Sequence, residues 1–146
     1  MAVPNSYIGA LISVSAAVPA TVDASGFNAL SWTLVGKIVS WGSVGDTTDN
    51  ISVPLLSGRV VHLNGASDGG EIAFTFVYDT APDSGQTIII NNSNTNVNCS
   101  TKIVDPDSKI AYNFGLFANV QDMERTNGGY KGLSGVFRVN SATVRA

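Results

Sequence analysis

The residues of this chain whose types could do chemistry fall into two groups, acids crowded into turns and lone nucleophilic or metal-binding side chains. Asp46, Asp49 and Asn50 share one polar turn and offer the oxygen ligands that calcium takes, but they lack the spacing of an EF-hand loop. Asp105 and Asp107 flank Pro106, an arrangement that suits a hairpin turn with proline at the second position better than a metal pair. His62 is the single histidine and Cys99 the single cysteine. An intrachain disulfide is therefore excluded, and Cys99 reads as a small core residue rather than a catalytic thiol. Ser134 sits between Gly132 and Gly135 without the glycine spacing of a nucleophile elbow. Gly69-Gly70 and Gly128-Gly129 precede no lysine-bearing helix, so they read as turns and not as phosphate cradles. Asn-x-Ser triplets begin at Asn50, Asn91 and Asn98. They match the glycosylation sequon, yet no charge precedes Asp23, so no basic secretory start accompanies them. The expectation is a non-enzyme with no cofactor and no metal, made in a cytoplasm.

The bulk composition points the same way. The chain has 146 residues, only 13% of them charged, against about 25% in an average domain. Asn, Ser, Thr and Gly take the place of the missing charges. Such a neutral surface suits protein contacts, because interface cores are depleted in charge. A net charge of −3, with basic residues scattered from Lys37 to Arg145, argues against nucleic-acid affinity, which needs a basic face. No apolar run reaches the ~20 residues that span a bilayer. One domain over residues 1–146 is expected, with residues 1–12 a flexible arm.

The elements are mostly strands. After an extended arm ending at Pro19, residues 23–26 read as a turn, with Gly26 suited to positive φ. Residues 30–44 are rich in β-branched and aromatic side chains, interrupted by Gly36 and Gly42, with Gly45 just beyond, at points where a bend or bulge fits. Residues 59–63 make a short strand and residues 65–70 a turn. From Glu71 to Asp79 the alternation is clean, with Ile72, Phe74, Phe76 and Tyr78 on one face. Pro82, Asp83 and Ser84 look like a helix start, so a short helix is expected over residues 82–92. Residues 91–98 form an Asn/Ser/Thr loop. Residues 97–104 are a strand, residues 105–108 a hairpin turn, and residues 109–121 the longest strand. In that strand Ile110, Tyr112, Phe114, Leu116 and Val120 should face inward, and Asn113, Asn119 and Gln121 outward. Residues 131–144 close the domain. The fold class is all-β with one short helix, a β-sandwich or partial barrel of about eight strands. Trp32, Phe74, Phe76 and Phe114 are the expected core aromatics.

One ordered series of residues resembles a known family. Pro19, Ala20, Thr21, Asp23, Gly26, Phe27, Leu30, Trp32, Thr33, Val35, Gly36, Ile38, Trp41, Gly42, Val44 and Gly45 follow the order found in the front half of tail tube proteins of long-tailed, siphovirus-like bacteriophages. The likeness continues through residues 65–71, 74–79 and 83–86. It covers roughly the first two thirds of the chain and rests on the order of the pieces. It implies a structural virion protein that self-assembles into stacked, hexameric rings. The resulting tail tube would conduct DNA during genome ejection without binding it specifically. It further implies homo-oligomer contacts, other tail proteins such as a terminator and a tape measure as partners, no membrane partner, and synthesis in a host bacterial cytoplasm. A carbohydrate-binding or virion-decoration β-sandwich is the alternative, on the strength of the Asn-rich loop and an exposed Trp41 for sugar stacking.

Two surfaces follow from the tube expectation. Residues 46–58 are polar and bounded by glycine, yet they carry Ile51, Val53, Leu55 and Leu56. Together with Asp46, Thr48, Asp49 and Asn50, these four are expected to form a ring-stacking loop, mobile in the monomer and ordered by the next ring. An ordinary core strand over residues 51–56 is the competing assignment. Glu71, Thr75 and Asp79, on the non-aromatic face of their strand, are the candidate lumen residues, since a lumen past which DNA slides should be acidic or neutral.

Overall fold

The structure, a computed structural model, describes residues 6–78 and 81–146. In chain order the elements are β1 (Leu11–Ser15), α1 (Ala24–Asn28), β2 (Thr33–Val35), β3 (Ile38–Trp41), β4 (Thr47–Pro54), β5 (Val60–Asp68), β6 (Glu71–Val77), α2 (Ser84–Asn91), β7 (Cys99–Val104), β8 (Ile110–Asp122), β9 (Gly132–Val139) and β10 (Val144–Arg145). Eight strands build one antiparallel sheet in the order β2-β1-β7-β8-β9-β6-β3, with β10 beside β8; β4 and β5 pair only with each other.

That order forces the sheet to roll. Its two edge strands, β2 and β3, are consecutive in the chain and joined only by Gly36 and Lys37. Laid flat, seven strands at ~4.8 Å spacing would hold these edges about 29 Å apart. Three peptide steps reach at most about 11 Å between Val35 and Ile38. The sheet therefore curls into a partial barrel, and Lys37 turns the corner at φ 58°. The N-terminus of α2 seals this seam. Asp83 caps the helix by accepting from the Gln86 N–H at 2.8 Å, and its other oxygen accepts from the Gly36 N–H at 2.7 Å. The buried Gln86 amide donates to the carbonyls of Gly36 (2.9 Å) and Val77 (3.0 Å).

The barrel interior holds the main core. Strand register brings Phe117 opposite Phe137, Phe137 opposite Ile72 and Gly135 opposite Phe74. These join Val14, Val35, Phe76, Cys99, Leu133 and Val139, and α2 contributes Ile89. Phe117 and Phe137 stack at 4.8 Å, and Phe74 meets Phe117 edge-on at 5.9 Å. Gly115 permits the tight pairing of β8 with β9, because a Cβ there would overlap the Arg138 carbonyl.

Several expectations change. The described residues hold two short helices, not one: Asp23 caps α1, so residues 23–26 are a helix start and not a turn, and Gly26 does not adopt positive φ. Residues 30–44 split into β2 and β3. The expected N-terminal arm is too long, since Leu11 and Ile12 belong to β1 and Ile12 is buried; residues 1–5 lie outside the described residues. Phe74 and Phe76 are core, as expected. Trp32 and Phe114 are only half-buried and lie outside the main cluster. Trp32 instead packs at 5.9 Å on Tyr112, which also stacks on Phe27 from α1 at 5.1 Å, and its indole N–H donates to the Phe27 carbonyl. Tyr112 is thus covered on the outside of the barrel, and Asn113, expected outside, is fully buried within. The strand has two covered faces, so alternation alone could not tell which one was the interior.

Candidate functional site

No cluster of three or more His, Cys, Asp or Glu side chains that could hold a metal occurs among the described residues. No helix there is long and apolar enough to cross a membrane. What stands out is an unburied arm. Residues 46–58 are not an irregular loop, nor are residues 51–56 a core strand. They form β4 and the tip of a hairpin that β5 completes, and every residue of β4 is exposed. Thr48, Asp49, Asn50, Ile51 and Val53 lie on β4, Asp46 at its base, and Leu55 and Leu56 at the tip. The return strand is longer than expected and runs through residues 65–68, previously assigned to a turn.

The hairpin is two-faced. Across the ladder Ile51 faces Leu63 and Val53 faces Val61, which puts four apolar side chains on one side. Asn50, Ser52, His62 and Asn64 occupy the other. There the His62 ring nitrogen Nδ1 lies 3.1 Å from Asn50 Oδ1 and 3.3 Å from Ser52 Oγ, and the Asn50 amide donates to Ser52 at 3.0 Å. The polar side is thus knit together, and His62 serves this network. The apolar side has no partner among the described residues: Ile51 is 47% exposed and Leu63 52%. Leu56, at the tip, is fully exposed. The turn closes with Leu55 N–H donating to the Arg59 carbonyl, and Gly58 takes φ 88°. The sequence signal for the whole hairpin was present: two β-branched runs flank a Leu-Leu-Ser-Gly turn.

The lumen candidates sit on the outer face of β6. Glu71 is ion-paired with Arg138 of β9 at 2.9 Å, and Thr75 shares a 2.6 Å hydroxyl contact with Ser40 of β3. Asp79 lies outside the described residues. Around them the face carries Ala73, Ser134, Val136 and Gln121. This patch is small and neutral, and Arg138 offsets the Glu71 charge.

The features behind the sugar-binding alternative are committed elsewhere. Trp41 is not an exposed platform: it stacks on Phe74 at 5.1 Å and its indole nitrogen is buried. In the Asn-rich loop, Asn94 accepts from the Asn119 N–H, Asn98 accepts from the Asn140 amide, and Asn92 donates to Ile88. Burial pushes the Cys99 thiol pKa up, which disfavours a reactive thiolate. Asp105 and Ser108 close the expected hairpin turn, with Ser108 N–H donating to Asp105.

No protein-family model matches the chain, and no curated protein matches it in sequence. Its fold does have matches among solved structures. One is the sheath/tube terminator of PVC, an extracellular contractile injection system, in the extended state: TM-score 0.69, 8% identity, covering 99% of this chain and 98% of that one. A chain of the native gene transfer agent virion matches with TM-score 0.63 and 12% identity over 98% and 99%. A chain from the tail of the empty gene transfer agent particle, solved with C6 symmetry, matches with TM-score 0.61 and 13% identity over 96% and 97%. Over its whole length the chain thus carries an all-β fold shared with components of phage-like tails and contractile injection systems.

Proposed function

We propose that this chain is a non-enzymatic structural subunit of a phage-like tail, which forms hexameric rings that stack into a tube through the β4–β5 hairpin. The observation that carries this reading is the hairpin itself. It is a two-stranded ladder, marginal on its own, whose apolar face is left to water in the single chain. Burying each aliphatic side chain there contributes about 1.5–3 kcal/mol. The full-length fold match to tail components supports a virion location, and the C6 symmetry of one such tail supports six copies per ring. Within that reading the chain is a major tail tube protein of the siphovirus type, with Glu71, Thr75 and Asp79 lining a lumen through which DNA passes unbound, and a terminator and a tape measure as partners. The neutral outer face of β6 and β9 suits that lumen, since it presents no unpaired cation to phosphate among the described residues.

Negative-stain microscopy of the purified protein tests this: rings and filaments are expected, and a monomer at every concentration would sink it. Amide exchange gives the local readout. Residues 48–56 should exchange fast in the monomer and become protected in the tube. Equal protection in both states would remove the stacking role.

A second reading has its own support, because the PVC structure is a sheath/tube terminator. A terminator would form single rings that do not elongate and would cap tubes made by another subunit. A concentration series separates the two.

A further inference from the structure

A subunit that stacks head to tail needs an acceptor at the end opposite its arm, and the structure offers one. The hairpin joins the barrel where Glu71 pairs with Arg138 and Val139 N–H donates to the Gly70 carbonyl. At the other end of the same strand, where Gly132 lies opposite Val77, residues 122–132 enclose a cleft of about 530 Å³. The two sites are separated by the length of β9, about 24 Å at ~3.4 Å per residue. Surfaces that are different and lie at opposite ends generate an open, repeating assembly rather than a closed dimer.

Tip and cleft complement one another chemically. Met123 and Tyr130 converge over Gly132, where a Cβ would meet the Tyr130 ring at 2.8 Å and the Met123 sulfur at 2.9 Å. A soft thioether beside a part-exposed aromatic ring is an adaptable apolar seat. Of the charged groups lining the cleft, Asp122 pairs with Arg125 at 3.1 Å and Lys131 lies 5.5 Å over the Tyr78 ring. Glu124 makes no ion pair among the described residues. The tip carries the converse set: Leu55 and Leu56 exposed, and Arg59 as the single Asp, Glu, Lys or Arg between residues 50 and 67.

We propose that the cleft formed by residues 122–132 receives the hairpin tip of a second copy of this chain, with Leu55 and Leu56 against Met123 and Tyr130 and Arg59 against Glu124. This rests on the stacking reading above, and it names the receiving surface.

The test uses the full chain in two parts. Arg59→Glu and Glu124→Arg each place like charges across the contact, so each should raise the concentration needed for tube growth by about tenfold or more. The double variant should return it to the parent's value. Separately, Leu56→Cys protein mixed with Tyr130→Cys protein should form a disulfide-linked pair under mild oxidation, and neither alone should do so; the buried Cys99 is left in place. All four substituted side chains are on exposed segments, so folding is checked simply by unchanged melting. Tubes from the parent with no rescue by the double variant, or with no cross-link, overturn the cleft while leaving stacking intact. A parent that forms no stacked rings overturns both.

Discussion

The barrel body and the hairpin arm are made of similar material and meet opposite fates. In β6, Ile72, Phe74 and Phe76 alternate with Glu71, Ala73 and Thr75, and the apolar set is buried completely. In β4 and β5, Ile51, Val53, Val61 and Leu63 alternate just as regularly with Asn50, Ser52, His62 and Asn64, and none is buried. The difference is the opposing layer. β6 has β3 and β9 beside it and the Phe117 ring of β8 across it, whereas among the described residues the arm's ladder has only itself. An alternating pattern therefore states that one face seeks cover; it does not state whether this chain supplies that cover.

The sharpest way to break the comparison is to hollow out the body. Phe117→Ala or Phe74→Ala should cost about 3–5 kcal/mol in denaturant unfolding, a large share of the ~5–15 available to a domain. Phe74→Ala should be insoluble or unable to assemble. Phe114→Ala should cost clearly less, and equal losses at Phe114 and Phe117 would reverse the assignment of barrel faces. Next comes the seam. Asp83→Ala removes the α2 cap and the bond to Gly36, for an expected loss of about 1–2 kcal/mol; no change would mean that the corner at Lys37 holds without it. On the arm, replacing Leu55 and Leu56 by Ser should leave monomer stability within about 0.5 kcal/mol and abolish stacking. Unfolding of this variant would show that the arm belongs to the body after all.

The smallest expected effect is at Cys99. Burial raises its thiol pKa in the folded state, so the folded chain holds this proton more tightly than the unfolded one. Its contribution is fully present below the unfolded thiol value of ~8.5 and is lost as pH rises through the folded value. Thiol labelling at mildly alkaline pH should proceed only as fast as the chain opens. Rapid labelling of native protein would place Cys99 outside the interior.

How much of this was legible varied with the kind of constraint. The β6 alternation and the turn at residues 105–108 are local chemistry and read directly; the helix expected over residues 82–92 is present as α2, but Asp83 caps it and Pro82 precedes it. The hairpin was half-read: Gly58 and the flanking β-branched runs mark a turn, but the polar residues 46–50 resemble a loop because both faces of a free arm meet water. Trp32 and Phe114 were misplaced because the β8 strand is covered on both sides. Tyr112 is in phase with Phe114 and is truly buried, but under Phe27 rather than inside the barrel. The bulge between Ala118 and Gln121, with Asn119 at φ 56°, breaks the register, a shift that no periodic count includes. A partial barrel was one of the two expected architectures, but the strand order that rolls the sheet left no local signal, since it depends on which strands are neighbours.

That neighbour order also sets a timetable for the nascent chain. β1 pairs with β7, residue 12 opposite residue 103. β1 meets β2 early, but at roughly 5–20 residues per second of synthesis it waits about 5–20 s for its other neighbour, β7, to be made. The β4–β5 hairpin is wholly local and forms within about 1–10 μs once both strands have emerged. The exposed hairpin can therefore sample its own pairing on the ribosome well before the barrel that carries it can close, and several chains translated from one message would expose such arms beside unfinished bodies.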